Sequence, residues 1–234
     1  MSGTQKERLT DDQVQAFDEI GYLVLNDVFS DADLQILIDG INAEVARFAE
    51  QRQSEGRLKN LYAEHGFEHR LAKIVEETGE SAVQIWDTRD ATLPAFFSLL
   101  THEGFLNRLE SLFGEEIICS SIFRMRPKAP NQGATNVPWH QDSAYFEPYC
   151  DDNLILSAWV PLVDVTDANG CLWFLPRSHR KGVATHNSVE GKPFLRILKE
   201  NLPGSERPVP VPMKKGDVVI FTNRTPHCSF ENST

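Results

Sequence analysis

The chain has 234 residues, of which 41% are hydrophobic and 9% aromatic, enough for one sizeable domain with a buried core. Its formal net charge of −11 argues against nucleic acid or an anionic membrane as the main partner. There is no apolar stretch of membrane-spanning length, no signal-peptide pattern and no Cys-x-x-Cys pair among the four cysteines, so we expect a reduced, cytoplasmic protein.

The N-terminal part of the sequence predicts two helices separated by a short strand. Thr10 is a good N-cap, and the acidic and then helically spaced apolar residues that follow it predict a helix over 9–20. Residues 22–25 are apolar or aromatic and predict a strand. Ser30 is a second N-cap, and the apolar periodicity after it predicts a helix that runs to about residue 51.

The middle of the sequence is harder to interpret. Residues 52–79 are charged and weakly periodic, which favours a solvated loop, with a lid or a substrate-contacting segment as the alternative. Residues 93–100 and 104–113 have the spacing of two short amphipathic helices.

After residue 116 the pattern changes to that of strands. Runs rich in β-branched and aromatic residues predict strands at 117–126, 154–163, 171–175 and 218–221. Asn169-Gly170 predicts a tight hairpin turn. Helices followed by strands, without a parallel βαβ rhythm, indicate a single domain over 1–234, mainly β, in which a helical part (1–115) packs on an antiparallel barrel (116–234).

The sequence Trp139-His140-Gln141-Asp142 is the main candidate for chemistry. Residues i and i+2 of a strand point to the same face, so His140 and Asp142 can meet at one point. His227, on a later strand, would complete a triad of two histidines and one carboxylate, which is diagnostic of non-haem Fe(II) oxygenases. Each element alone is common by chance, and a lone histidine is more often a core or loop residue. The strand-rich sequence between them favours the metal site.

Several motifs, spread over most of the chain, match a known family in order and spacing. They are Gly21-Tyr22-Leu23-Val24, His140-Gln141-Asp142, Ala158-Trp159-Val160-Pro161-Leu162, Asn169-Gly170-Cys171-Leu172, Leu175-Pro176-Arg177-Ser178-His179, Lys215-Gly216-Asp217 and His227. With these motifs the chain resembles the phytanoyl-CoA dioxygenase-like family of Fe(II)- and 2-oxoglutarate-dependent oxygenases. The resemblance implies a double-stranded β-helix, a jelly-roll, cupin-like barrel with the metal at one mouth.

The resemblance also implies the reaction and its cofactors. His140, Asp142 and His227 would be the catalytic iron ligands, with 2-oxoglutarate as co-substrate and O₂ as oxidant. A small-molecule substrate would be hydroxylated, with succinate and CO₂ as co-products. Halogenating relatives have a small residue at the carboxylate position, so Asp142 favours hydroxylation, desaturation or ring formation over halogenation. The alternatives are a cupin-like metal protein that does not use 2-oxoglutarate and a degenerate, non-catalytic member.

Three residues match family positions that contact 2-oxoglutarate. Trp159 matches a residue that lines the co-substrate site, although a plain core tryptophan is an equal alternative. Ser229 matches a hydroxyl that helps to hold the co-substrate, and its alternative is a surface serine. Gln84 is a looser match, because other members have lysine there. Arg126 matches a basic residue on the strand before the histidine motif, for which a structural role is sufficient.

One family feature falls outside this sequence. In the family, an arginine about eleven residues after the distal histidine binds the far carboxylate of 2-oxoglutarate, and that position lies just past Thr234. We therefore expect that the sequence is a shortened form that lacks the last barrel strand. The alternative is an incomplete 2-oxoglutarate site.

Overall fold

The computed structural model of the protein describes residues 7–82, 95–120, 123–151, 153–191, 194–204 and 206–234. The α-helices in this part of the chain are α1 (Asp11–Ile20), α2 (Asp31–Ser54), α3 (Phe67–Thr78), α4 (Ala95–Leu100) and α5 (Glu103–Phe113). The strands are β1 (Tyr22–Leu25), β2 (Val137–His140), β3 (Leu156–Trp159), β4 (Leu172–Phe174), β5 (His186–Ser188), β6 (Leu195–Ile197), β7 (Val209–Val211), β8 (Val218–Thr222) and β9 (His227–Ser229). Within these ranges no helix has the length and apolar character needed to cross a bilayer.

The predicted N-terminal helices are confirmed, together with their caps. The Thr10 side chain accepts a hydrogen bond from the backbone N–H of Gln13, whose side chain accepts one from the Thr10 backbone N–H, so the two form a capping box. Ser30 caps α2 in the same way. Apolar residues at the predicted spacing, among them Leu34 and Ile41, form the buried face of α2.

The interpretation of residues 52–79 as a loop is wrong for its second half, because α3 occupies Phe67–Thr78. Its buried residues are Ile74 and Val75, and the partly buried Phe67 and Leu71 extend the same apolar face against the core of α2, while charged residues cover the opposite side. Gly79 ends the helix in the left-handed conformation. Phe67, Leu71, Ile74 and Val75 have the spacing of one helical face, so the sequence carried a signal for this helix that its many charged residues obscured.

The strand predicted at 117–126 is not present among the described residues of that range, which have no regular secondary structure. Within the described part of the chain no neighbouring strand pairs with this segment. The predicted Asn169-Gly170 hairpin is also wrong, because the strands before and after it belong to different sheets. Instead the Asn169 side chain closes a loop by accepting a hydrogen bond from Thr166 N (2.6 Å) and donating one to Asp164 O (2.9 Å).

The strands form two main antiparallel sheets and one hairpin. The orders are β1-β8-β3, β2-β9-β4-β7 and β5-β6. Because β1 pairs with β8 in register, the N-terminal part contributes a strand to the main sheet and is not purely helical. The described strands do not close into a complete barrel.

The alternating side chains of β8 explain how the two layers are held together. Val218 and Ile220 point to one face and pack with apolar residues of α1, α2 and α5. Val219 and Phe221 point to the other face and pack with Phe174 of β4, in the space between the two main sheets. The helices therefore cover the outside of the three-stranded sheet, and its inner face is directed at the sheet that carries β2 and β9.

A corner at Gly21 joins the end of α1 to the loop that precedes β9. Gly21 has φ +92°, and its carbonyl accepts hydrogen bonds from Thr222 N (3.1 Å) and Thr225 Oγ1 (2.7 Å). His179 packs against Gly21, and its Nε2 lies 3.0 Å from Asp18 O. The Pro176-Arg177-Ser178-His179 motif therefore has a structural role at this corner.

We expect Gly21→Ala to lower the free energy of unfolding by at least about 2 kcal/mol. The positive φ disfavours any L side chain, and the added Cβ would lie 2.4 Å from His179 Nδ1. Gly79→Ala is the matched control, since Gly79 also ends a helix at φ +71° but has nothing within 4 Å of its Cβ position. Urea denaturation of both variants measures the difference, and an equal loss in both would rule out the steric contribution.

Candidate metal centre

The candidate metal triad of His140, Asp142 and His227 forms where two neighbouring strands of the four-stranded sheet come together. His140 is the last residue of β2 and His227 the first of β9, and they are direct partners in the antiparallel register. Directly opposed residues project from the same face of a sheet, which places the two imidazole centroids 4.2 Å apart. Phe221 packs beside His227 with a centroid distance of 4.5 Å and limits how far its ring can turn.

Asp142 begins a short 3-10 turn immediately after β2 and brings its carboxylate to the two imidazoles. Its Oδ1 lies 3.7 Å from His140 Nε2 and 3.8 Å from His227 Nε2. With metal–ligand bonds of about 2 Å, one ion can bridge donors at such distances. The donor atoms of all three residues lie within 4.8 Å of one another.

Backbone carbonyls set the tautomers of both histidines. His140 Nδ1 lies 2.9 Å from Pro138 O, and His227 Nδ1 lies 3.0 Å from Thr225 O. A carbonyl can only accept, so each Nδ1 carries a proton, and in the neutral imidazole Nε2 presents its lone pair to the site. Burial, reinforced by His227, lowers the pKa of His140 to about 3, so this imidazole is neutral at physiological pH, as metal binding requires.

A serine that the sequence did not single out orients the carboxylate. Ser157 Oγ donates a hydrogen bond of 2.5 Å to Asp142 Oδ2. Because Oδ2 is engaged, Oδ1 is the oxygen that faces both imidazoles. Ser157 lies on β3 two residues before Trp159, so both belong to the inner face of the three-stranded sheet. The spacing of Ser157 and Trp159 predicts that they share a face, but the sequence does not indicate that Ser157 meets Asp142.

The residue between the two motif ligands has a different role. The buried Gln141 donates through Nε2 to Gly182 O (2.9 Å) and Arg224 O (2.6 Å), and its Oε1 accepts from Ala184 N (2.7 Å). These bonds attach the histidine motif to the loop that leads to His227. Satisfying both ends of the amide requires glutamine, because glutamate has no N–H groups to donate.

A second link connects the same two segments. Asn223 Nδ2 donates to Ser143 Oγ (2.9 Å), and Ser143 N donates to Asn223 O (2.9 Å). Asn223 also pairs through its backbone N–H with Ile155 O, just before β3. The three chain segments that carry the triad and Ser157 are therefore tied together by buried polar contacts.

Two of the three residues predicted to contact the co-substrate lie within the described part of the chain. Trp159 is on the inner face of β3 and packs with the apolar residues between the sheets. Ser229 is a buried residue of β9, two positions after His227 and on the same face of the sheet, so it is not a surface loop serine. Gln84 lies outside the described residues.

Comparison with known proteins identifies the family. The family model for phytanoyl-CoA dioxygenase (PhyH) matches residues 17–234. The chain belongs to the phytanoyl-CoA dioxygenase family. A relative, phytanoyl-CoA dioxygenase 1 of Oryza sativa subsp. japonica, is 28% identical over 260 residues, which cover 96% of this chain and 84% of the relative. The resemblance drawn from the sequence motifs is thus confirmed.

Solved structures of related fold support the predicted fold class. The carbocyclase SnoK of nogalamycin biosynthesis, described as non-heme and alpha ketoglutarate dependent, has a TM-score of 0.57 at 19% identity and covers 99% of this chain and 81% of its own. EctD from S. alaskensis, in a structure with 2-oxoglutarate and 5-hydroxyectoine, also has a TM-score of 0.57, at 21% identity. The match covers 99% of this chain and 73% of the EctD chain.

Ser157→Ala should weaken metal binding by about tenfold, because residues that orient a metal ligand typically contribute tenfold or more to affinity. Isothermal titration with Ni²⁺ or Co²⁺ measures the affinity. Ser157→Thr retains the hydroxyl and should restore most of it. Ser188→Ala, at an exposed strand position, is the matched control. If Ser157→Ala bound metal as tightly as Ser188→Ala, the hydrogen bond to Asp142 would not orient the ligand.

Proposed function

We propose that this protein is an Fe(II)- and 2-oxoglutarate-dependent dioxygenase that hydroxylates a small molecule and releases succinate and CO₂. The observation that carries the proposal is the meeting of His140, Asp142 and His227 within 4.8 Å, with each Nδ1 bonded to a backbone carbonyl and Asp142 Oδ1 free of hydrogen bonds to the described residues. Three protein ligands on one face of an octahedral ion leave three positions open. These suffice for a chelating 2-oxoacid and O₂.

The chemistry of the donor set fits Fe(II). His140 and His227 would each supply a neutral nitrogen, and Asp142 would supply one oxygen and one negative charge through Oδ1. When bound, the iron supplies the oxidation, in which O₂ is consumed while 2-oxoglutarate is converted to succinate and CO₂. The protein's contribution is to hold the ligands rigidly and to limit water: both histidine side chains are 8% exposed, whereas Asp142 is 22% exposed and marks the open side.

Hydroxylation is the reaction we favour within this class. Asp142 fills the carboxylate position that halogenating relatives leave open, and its Ser157 hydrogen bond holds it there. The neighbouring structure of EctD contains 5-hydroxyectoine, whereas SnoK is described as a carbocyclase, so this fold supports more than one outcome.

Trp159 and Ser229 are the proposed contacts to 2-oxoglutarate. Ser229 is supported by its burial and by its position on the same face of β9 as His227. Trp159 is supported by its place on the inner face of β3, two residues after the serine that holds Asp142. The role of Gln84 stays a prediction from the family resemblance.

Asp142→Ala should abolish succinate formation and weaken metal binding, since it removes a ligand and the only carboxylate of the triad. The assay is succinate release from 2-oxoglutarate with Fe(II) and ascorbate over a panel of small-molecule substrates. Metal titration of the same samples provides a readout that needs no substrate. Asp39→Ala, at an exposed position of α2, is the control and should behave as the wild type.

Two results would contradict the proposal. Normal turnover in Asp142→Ala would show that the carboxylate is not a ligand. Tight metal binding by the wild type, without 2-oxoglutarate binding or succinate release, would instead identify a metal protein of the cupin-like kind that does not use 2-oxoglutarate.

Ser229→Ala should weaken 2-oxoglutarate binding by about three- to tenfold, the effect of one neutral hydrogen bond, while metal affinity stays unchanged. The measurement is titration of the Ni²⁺-loaded protein with 2-oxoglutarate. Ser188→Ala again serves as the control. An unchanged 2-oxoglutarate affinity would remove Ser229 from the co-substrate site, and a changed metal affinity would show that it acts on His227 instead.

A further inference from the structure

The hairpin of β5 and β6 lies beside the histidine motif and belongs to neither main sheet. Its strands pair through His186 with Ile197 and through Ser188 with Leu195. A two-stranded hairpin alone is only marginally stable in water, so its contacts with the rest of the protein decide where it lies. One of these contacts is made by the His186 ring, which meets the backbone between the two ligands of the motif.

His186 accepts a hydrogen bond from that backbone. The N–H of Gln141 donates to His186 Nε2 at 3.0 Å, and His186 Nδ1 lies 2.7 Å from Ala184 O. Because a carbonyl can only accept, Nδ1 carries a proton, and Nε2 can accept only in the neutral imidazole. Burial lowers the pKa of His186, which favours this neutral form. Both ring nitrogens of His186 therefore have a partner in the protein.

The place of this bond in the chain gives it a consequence for the metal centre. The strand β2 ends at His140, and the next backbone N–H belongs to Gln141, which is fully buried. A buried N–H at the end of a strand needs an acceptor outside the sheet ladder, and His186 supplies one. The bond holds the peptide that lies between His140 and Asp142. It therefore restricts the relative direction of the two ligands.

A second contact joins the other strand of the hairpin to the same motif. The N–H of Leu195 donates to Tyr145 Oη at 2.9 Å, and the Tyr145 ring meets the His140 ring edge-on, with the centroids 6.0 Å apart. Tyr145 ends the 3-10 turn that begins at Asp142, and residues three apart in such a turn lie on the same side. The hairpin thus contacts the motif with both of its strands.

We propose that His186 is a positioning residue of the metal centre, which holds the Gln141 peptide so that His140 and Asp142 converge on one ion. It is not itself a ligand, because both of its ring nitrogens are engaged in hydrogen bonds. Since the same bond attaches the hairpin, metal binding and hairpin attachment are coupled, and such coupling is reciprocal. The inference rests on the metal site of the proposed function and not on the use of 2-oxoglutarate.

Two substitutions separate the two hydrogen bonds of His186. His186→Asn places an amide where Nδ1 lies, so that the donor to Ala184 O is kept and the acceptor for Gln141 is lost. His186→Gln reaches the position of Nε2 and can restore the acceptor. His69→Asn is the matched control, because His69 is an exposed histidine of α3. Circular dichroism and urea denaturation of the metal-free proteins establish that each variant is folded.

Isothermal titration with Co²⁺ measures metal affinity, and the visible absorption of the Co²⁺-saturated proteins reports the geometry of the ligands. His186→Asn should weaken Co²⁺ binding by at least about tenfold, as is typical for residues that orient a metal ligand, and should change the spectrum. His186→Gln should recover most of the affinity and the wild-type spectrum. A loss of overall stability alone would leave the spectrum of the saturated protein unchanged.

Amide hydrogen exchange measures the coupling to the hairpin, with Ni²⁺ as the probe. In the wild type, Ni²⁺ should slow exchange of the Leu195 amide, which bonds to Tyr145 on the far strand of the hairpin. In His186→Asn this protection by Ni²⁺ should be lost. The Gln141 amide should exchange faster in His186→Asn than in His69→Asn even without metal, because its acceptor is gone.

If His186→Asn bound Co²⁺ as tightly as His69→Asn and kept the wild-type spectrum, the inference would be overturned. Equal protection of Leu195 by Ni²⁺ in the wild type and in His186→Asn would overturn the coupling to the hairpin. If the wild type bound neither Co²⁺ nor Ni²⁺, the metal site of the proposed function would fail instead. The two failures are distinct, because in the first the wild type still binds metal.

Discussion

The antiparallel pairing of β2 with β9 is the contact on which the metal centre depends. It places His140 directly opposite His227, so that two residues far apart in the sequence share one face of a sheet. A shift of one residue in this register would turn one imidazole to the opposite face and destroy the site. The buried amide of Gln141 resists such a shift, because it bonds the motif to the backbone of Arg224 just before β9.

The pairing of β2 with β9 also positions the groups that set the electrostatics of the triad. Backbone carbonyls hold each Nδ1 proton on the outer side of its ring, and burial keeps His140 neutral. The Ser157 hydroxyl engages one oxygen of Asp142, which leaves a single oxygen for an ion. The donor set is therefore organised by the protein itself, and little rearrangement would accompany metal binding.

The sequence predicted those elements whose structure follows from local periodicity and spacing. The capped helices α1 and α2, the strand β8 and the same-face position of His140 and Asp142 follow from such patterns. What could not be predicted depends on tertiary partners. Residues 117–126 have strand-like composition without a neighbouring strand among the described residues. The helix α3 is a different case, because its apolar spacing is helical and only its many charged residues obscured it. Ser157 has no motif of its own, and only the fold brings it to Asp142.

The pairing of β1 with β8 has a consequence for how the protein matures. During synthesis β1 leaves the ribosome long before β8, and His227 follows later still, so the sheet and the triad both await late, long-range contacts. A nascent chain that lacks His227 has only two of the three triad ligands, His140 and Asp142, and two flexible ligands discriminate poorly between metal ions. The third ligand therefore becomes available only after β8, the partner of β1, has been made. The folded site, and not the unfolded polypeptide, would then select the metal. It would do so in competition with other ions in the cell that bind such ligands more tightly.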